Sequence, residues 1–564
     1  MMRGRSPRRV RYRNRGVSEQ QSMSRKNAAG GPRPRPVTAA LCGVVAAGAG
    51  LAVAEVAGAL TKPEATPLLA VGATVIDLVP RPLKELAITL FGTADKAVLL
   101  AGMAVVLAAF AGATGVMARS RRPLGDAGIA LFGTIGAVAA LTRPEGGPLD
   151  VLPSVLGAGA AIAVLRLLLR VAPGTPGPAG AASDPDTGGR TEEAETPAPG
   201  EFDRRRFVLL ASSAAALSAA GGLGARWYAS SRLEVARANN AVRLPRPASP
   251  AAPLPDEAEL DVAGLDPFFT PNDDFYRIDT ALSVPQIDAT TWRLRIHGRG
   301  ITEREYTFDD LLNRSDLMER DITLACVSNP VGGSYIGNAR WIGVPLAALL
   351  QEAGVRPPGD GGPADQLVSR SHDGMSIGTP VADVMDGRDA MLALGMNGRP
   401  LPGRHGFPVR MVVPGLYGYV SACKWLVELE LTTFDAFDAY WVPRGWAEQA
   451  PIKPQSRIDT PHEGGTVEAG TVPVAGVAWA QHVGVQAVEL RVDDGPWQEA
   501  RLAAEDTADT WRQWVFEWEA EPGEHRLTVR TTDRDGQTQT ARASNPAPDG
   551  ATGQHAVDVT VAGR

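Results

Sequence analysis

The stretch ITLACVSNPVGGSY, Ile322 to Tyr335, ends an apolar strand-like run on a single cysteine, Cys326, and follows it at once with turn-forming residues. Asn329-Pro330 and Gly332-Gly333 turn the chain sharply away, which leaves the sulfur at the mouth of the strand. A thiolate is the soft ligand that a transition metal prefers, and one in this place suits a metal whose other ligands come from a cofactor. The alternative reading of a cysteine at a strand end is a small buried hydrophobe. Only three cysteines occur, Cys42, Cys326 and Cys423, with no CxxC pair and no CxxCH haem-attachment site. That excludes a disulfide framework, a cysteine-held iron–sulfur cluster and a zinc ribbon. Seven histidines are scattered without HExxH spacing, so any metal here must be held by little more than one protein sulfur.

The elements that must position this loop read as a mixed-sheet α+β domain over residues 259–455. Short strand-like runs such as TWRLRIHG (Thr291 to Gly298) and FPVRMVVP (Phe407 to Pro414) alternate with brief helical pieces such as PLAALLQEAG (Pro345 to Gly354). No long βαβ repeat appears, which argues against a doubly wound fold. Residues 456–564 change character. In VQAVELRVDDG, Val488, Leu490 and Val492 fall on one face and Glu489, Arg491 and Asp493 on the other, and EHRLTVRTTD alternates too. Asp494-Gly495 and Asp535-Gly536 supply the turns, so this part reads as an immunoglobulin-like β-sandwich. It holds no cluster of potential catalytic groups, and its expected task is packing against another subunit.

Upstream, the composition is that of a membrane region. The formal charge of −7 hides a basic segment, residues 1–36, with eleven Lys and Arg against Glu19 alone. Apolar spans follow it, which favours a cytoplasmic flank over a nucleic-acid arm. Within residues 37–171, Val37 to Leu60, Ala97 to Ala118, Ala127 to Thr142 and Val151 to Val171 each read as a span. Leu68 to Phe91 is broken by Asp77, Arg81, Lys84, Glu85 and two prolines, and reads as a re-entrant or interfacial segment. Residues 172–203 read as a disordered linker. Residues 204–228 hold a twin-arginine-like flank, Arg204 to Arg206, and a last span ending at Trp227 and Tyr228. With the N-terminus inside, five spans keep the ARSRR cluster at Arg119 to Arg122 inside and carry everything after Trp227 outside. A Pro- and Ala-rich tether, residues 229–258, then leads to the soluble part.

With these elements in place, ITLACVSN, RWIGVPLAALL and MNGRPLPGRHGFPVRMVVPGLYGYVSACKWL (Met396 to Leu426) together resemble the sulfite oxidase family of molybdopterin enzymes. The resemblance runs from about Asp266 to the C-terminus, with several spaced motifs in the family's order. It implies that Cys326 ligates molybdenum, whose other ligands are a pterin dithiolene and oxo or hydroxo groups. It further implies that Asn329, His405, Arg410 and Lys424 contact the molybdenum–molybdopterin cofactor. Cationic donors of this kind suit the pterin's terminal phosphate, Arg as a planar fork and Lys as a point charge. TPNDDFYRIDTALSVPQID (Thr270 to Asp288) resembles the family's opening motif, which places Phe275 and Tyr276 at the cofactor and Arg277 at the substrate pocket.

The match loosens around the substrate. Arg277 comes one place earlier than the family's arginine, Ile278 and Asp279 follow it, and Pro330-Val331 replaces paired arginines. The family's substrate-site tyrosine aligns with Trp446, with Tyr440 nearby. These departures remove positive charge expected around a dianion, so sulfite itself is not implied. What is implied is an oxidoreductase that moves an oxygen atom and two electrons on a small substrate. Its partner in electron transfer is a separate cytochrome or quinone-linked protein, because no haem or flavin motif is visible in the chain. Reduction of a sulfoxide or another S- or N-oxide is the alternative within the fold. A metal-free, membrane-anchored binding or assembly protein is the alternative of another class. The expected setting is the cell membrane, multi-pass, with the catalytic domain on the extracytoplasmic side, a possible homodimer and no nucleic-acid role.

Overall fold

The computed structural model describes residues 34–61, 65–79, 95–143, 147–172, 242–281 and 284–563, together with residues 212, 216, 221 and 224. The twin-arginine-like stretch, most of the last expected span, Trp227 and Tyr228, and nearly all of the linker 172–203 and of the basic segment lie outside these residues. Two compact units make up the chain, Met1–Ser231 and Arg232–Arg564.

In the first unit the helices are α1 (Pro36–Leu60), α2 (Pro67–Leu78), α3 (Asp95–Ser120), α4 (Arg122–Leu141) and α5 (Leu152–Val171). Among the described residues, four helices are long and apolar enough to cross a membrane: Pro36–Leu60, Ala101–Ser120, Arg122–Leu141 and Pro148–Val171. They coincide with the four spans read between residues 37 and 171. Of the segment read as re-entrant, the described part is helical over α2, 12 residues, and residues 80–91 lie outside the described residues. Small residues let the long helices approach closely. A side chain at Gly50 of α1 would meet Gly157 O of α5 at 2.6 Å.

The second unit begins with an α+β domain. Its strands are β1 (Arg293–Gly298), β2 (Arg304–Thr307), β3 (Met318–Ala325), β4 (Ile336–Pro345), β5 (Gln366–Ser371), β6 (Ser376–Pro380), β7 (Met391–Met396), β8 (Arg399–Pro400), β9 (Arg410–Val412) and β10 (Leu426–Thr432). One sheet runs β2-β1-β10-β5-β6, with β1 and β10 parallel and the other pairs antiparallel. The second runs β3-β4-β7-β8, and β9 also pairs with β7. The mixed sheet expected from the strand-like runs is therefore present. Apolar alternation works as it should at β1, where Leu294 and Ile296 are fully buried between exposed Arg293 and Arg295. From Asp321 onward β3 is buried at every residue, because it is covered on both faces.

The sandwich comprises β11 (Gln455–Thr460), β12 (Thr466–Glu468), β13 (Gly470–Trp479), β14 (Val485–Val492), β15 (Gln498–Glu499), β16 (Arg501–Leu502), β17 (Arg512–Ala520), β18 (Gly523–Asp533) and β19 (His555–Ala562). Its sheets are β11-β13-β17-β16 and β12-β19-β18-β14-β15. Val488 and Leu490 point into its core with Trp514, Val529 and Val559. The sandwich is not free of the first domain: Val477, Trp479 and Trp511 are buried in the same apolar cluster as Ile322 and Trp341. Burying side chains of this size is worth about 1.5 to 3 kcal/mol each, which welds the two domains.

Candidate active site

Cys326 is the first residue after β3. Its N–H donates to Tyr335 O at 2.9 Å, and its carbonyl accepts from the N–H of Asn329 at 3.0 Å. Asn329 is buried, and its Oδ1 accepts from the N–H of Tyr335 at 2.9 Å, so this side chain closes the loop on itself. Cys326 Sγ lies 2.9 Å from Ser328 Oγ, and Cys326 lines a cavity. Burial pushes the thiol pKa up, against smaller downward pulls from Ser328 and Lys424. A free thiol is the form the buried site favours on its own.

Four chain segments enclose the cavity. The turn before β1 contributes Tyr276, Ile278, Asp279 and Thr280; the β5–β6 hairpin contributes Ser371, Asp373, Met375 and Ile377. Arg410 enters from β9, and the segment leading into β10 adds Tyr419, Cys423, Lys424 and Trp425, with Trp441 beyond it. Two cations thus face the cavity that holds the thiol. Lys424 Nζ donates to Asp279 Oδ2 at 2.6 Å and to Ile278 O at 3.1 Å. Burial pulls its pKa down to about 8, with Asp279 opposing the shift.

Arg410 differs. It is 5% exposed, its Nη1 reaches only His405 O at 3.5 Å, and its Nε is buried without a partner. Its guanidinium carbon lies 5.4 Å from the centre of the Trp341 ring. No carboxylate pairs with it among the described residues. Desolvation accordingly pulls its pKa down. A buried cation left in this state costs on the order of several kcal/mol, which a bound anion would offset.

The structure brings Cys326, Tyr276, Arg410 and Lys424 to one cavity, and leaves Arg277, Phe275, Asn329, His405 and Trp446 out of its lining. Arg277 Nε donates to Asp279 Oδ2 at 2.7 Å and is held there as part of the Arg277–Asp279–Lys424 chain. His405 is buried, its Nε2–H donates to Asn272 O at 2.7 Å, and its ring packs edge-on to Phe275 at 5.6 Å. Its pKa falls to about 4 through burial and the neighbouring Arg410, so the ring is neutral. Phe275 stacks on Tyr276 at 5.2 Å and sets that ring against the cavity. Trp446 packs on Tyr419 and Trp441, at 5.8 and 6.3 Å, and those two rings face the cavity instead.

Asp373, Met375, Ile377 and Trp441 were not singled out by the sequence. The turn signal in SHDGMSIG, Ser371 to Gly378, marks a hairpin, but nothing local says that its residues wall a cavity. Cys423 lines the cavity too, with its thiol pKa pushed up to about 12 by burial.

Residues 281–441 match the family described as oxidoreductase molybdopterin binding domain, and residues 454–529 match the bacterial Ig domain. Mitochondrial sulfite oxidase of Mus musculus is 30% identical over 304 residues, 46% of this chain and 55% of that protein. The protein-methionine-sulfoxide reductase catalytic subunit MsrP of Ralstonia nicotianae is 32% identical over 240 residues, 39% of this chain and 66% of that protein. Among solved structures, the sulfane dehydrogenase SoxCD of Paracoccus pantotrophus has a TM-score of 0.44 at 22% identity, covering 51% of this chain and 80% of that one. The chain spans about half the length of the sulfite oxidases it matches. Behind its apolar helices, therefore, the chain carries a molybdopterin-binding oxidoreductase domain of the sulfite oxidase family, followed by an immunoglobulin-type β-sandwich.

Proposed function

We propose that the chain catalyses oxygen-atom transfer, coupled to two-electron transfer, on a small substrate at the cavity beside Cys326. The observation that carries this is the Arg410 guanidinium, buried without a carboxylate and with its Nε unpartnered, facing the same cavity as a thiol. Sulfur for a soft metal and a buried cation for an anionic tail are the two fixed points that a molybdenum–pterin group requires. The residues fit that group. In this reading Cys326 Sγ holds the metal as a thiolate, and Arg410 and Lys424 hold the phosphate end. The metal-free binding protein is disfavoured, because such a protein has no use for an uncompensated buried guanidinium.

The bound cofactor supplies the oxygen-transfer and redox chemistry, and the chain's task is to orient, exclude water and set charge. Asp279 offsets Lys424 and keeps that ammonium in place as the recess fills. Burial pushes the Tyr276 phenol pKa well above its ordinary value, so its hydroxyl remains a neutral donor at the wall. Tyr419, Trp441, Met375, Ile377 and Ile278 make the remaining surface apolar and aromatic.

That surface favours a second reading, reduction of an uncharged S-oxide. Arg277 is tied to Asp279, and Asp373 adds a carboxylate to the wall, so a dianion such as sulfite meets little free positive charge. The two relatives stand by name at the two ends of this choice, one a sulfite oxidase and one a sulfoxide reductase. On charge, this cavity resembles what the second would need.

The apolar helices support a multi-pass anchor in the cell membrane, with the catalytic domain outside by the distribution of basic residues. Electrons then pass to or from a separate cytochrome or quinone-linked protein, and the sandwich offers a surface for a homodimer. Metal analysis of protein made with ample molybdate tests the function directly: about one molybdenum per chain is expected. None would return the chain to the binding class. Sulfite with an artificial electron acceptor, run beside methyl sulfoxides with an artificial donor, separates the substrates. Faster turnover of sulfite would sink the second reading.

A further inference from the structure

We infer that the β-sandwich positions the cysteine loop, and that His555 and Arg457 are the residues through which it does so. This rests on the reading of Cys326 as the metal ligand. The loop is gripped on both sides of the sulfur. Before it, on β3, the N–H of Thr323 donates to Asp509 O at 2.9 Å, and Thr323 O accepts from Gln481 Nε2 at 3.2 Å. Thr323 Oγ1 accepts from the N–H of Trp511 at 2.8 Å. All three partners belong to the sandwich.

After the sulfur, Arg457 Nη1 donates to Gly333 O at 3.1 Å. Its guanidinium is fixed by Asp459 and Asp266, each at 2.5 Å, so its direction is set before it meets the loop. The His555 ring lies close against Gly332. A β-carbon there would stand 2.1 Å from Cδ2 and 2.3 Å from Nε2, and Gly332 has φ of +75°. Only glycine suits both the backbone and the contact. His555 Nδ1 accepts from the N–H of Ile458 at 3.0 Å, which fixes the ring on β11 and leaves the proton on Nε2.

These contacts reach the loop within three residues before Cys326 and seven after it, and none reaches the cavity wall itself. Arg457, His555 and Trp511 therefore act on the sulfur through the backbone. Thiolate ligation to a metal held elsewhere by its own cofactor requires that backbone to be stiff, because a displacement near 1 Å costs about 100-fold in rate. A packing role alone would not need a charged hydrogen bond to Gly333 O beside a ring fitted against the preceding glycine.

The test compares His555→Ala, Gly332→Ala and Leu527→Ala in the full-length holoprotein, well below the unfolding temperature of each. Leu527 lies in the sandwich core and does not touch the loop. Three quantities are read: molybdenum per chain, the visible thiolate-to-metal charge-transfer absorption, and kcat and KM per bound molybdenum. The expectation is a shifted band and a kcat lowered by about 10- to 100-fold at unchanged KM for His555→Ala and Gly332→Ala. Leu527→Ala should lower the unfolding temperature as much, without moving the band. His555→Asn, which keeps an acceptor for Ile458, should recover part of the band position. An unmoved band and unchanged kcat per molybdenum in His555→Ala overturns the inference. Cys326→Ser run alongside separates the two levels: if it keeps molybdenum and the same band, the ligand reading itself has failed; if it loses the band, only the positioning role is in question.

Discussion

Arg410 and Arg457 are buried alike, 5% and 6% exposed, in opposite surroundings. Arg457, at the junction of the two domains, is paired with Asp266 and Asp459 and gives a further donor to Gly333 O. Arg410, facing the cavity, has a Nε without a partner and a Trp341 ring in place of a carboxylate. Folding has satisfied one charge from within the chain and left the other unsatisfied. The difference separates frame from site: a fully paired buried cation holds structure together, whereas an unpaired one awaits a ligand.

The comparison breaks most decisively at the sulfur. Cys326→Ser is nearly isosteric, and Ser328 still offers its hydroxyl 2.9 Å away, so the domain should fold with an unaltered circular dichroism spectrum. Turnover should fall to background. A loss of folding as large as that of a core truncation would mean that the thiol is a packing element, and that Arg410 awaits no cofactor.

The two arginines themselves give the next largest effects, with opposite signs. Arg457→Ala strands the buried Asp459 carboxylate and should cost about 3 to 5 kcal/mol in thermal or denaturant unfolding, whether or not the cofactor is bound. Arg410→Met fills the same space without charge and should raise the stability of cofactor-free protein. In holoprotein the same change should weaken cofactor retention by about 10- to 100-fold, the worth of a hydrogen bond to a charged group. Should Arg410→Met destabilise the empty protein as much as Arg457→Ala, both arginines belong to the frame.

How far the sequence carried this depends on the range of each signal. The four long helices, the strand ending at Cys326 and the alternation of β14 are local patterns, and each is where its residues put it. The gathering of Cys326, Tyr276, Arg410 and Lys424 was legible only as a family resemblance, because their order along the chain carries no geometry. Trp441 was missed in favour of Trp446, since the short helical turn at Val442–Arg444 and Gly445 decides which ring faces the cavity. Asp373 and Met375 were invisible for the same reason. The sandwich, read as a surface for another subunit, grips β3 of its own chain through Trp511, a contact 188 residues apart. No periodicity encodes a contact of that span.

A third charge, the half-buried Asp506, sharpens the rule with the smallest effect. It sits where a sandwich loop meets β3, and its Oδ2 is buried without a donor, facing the carboxylate of Asp321. Asp321 is already paired with Arg340, whose Nη2 donates to it at 2.6 Å. Unlike Arg410, an acid left over in such a place can discard its charge. Desolvation first, then Asp321, lift its pKa to about 7, from about 3.9 in an unfolded chain. The folded state therefore holds this proton more tightly than the unfolded one. The resulting stabilisation is complete below pH 4 and is lost as pH rises through 7. Asp506→Asn, which cannot ionise, should gain on the parent as pH rises, by about 1 to 2 kcal/mol between pH 5.5 and pH 8.5. Denaturant midpoints at the two values measure the gap. An equal midpoint difference at both would mean that Asp506 keeps its charge and finds a cation, as Arg457 finds its carboxylates.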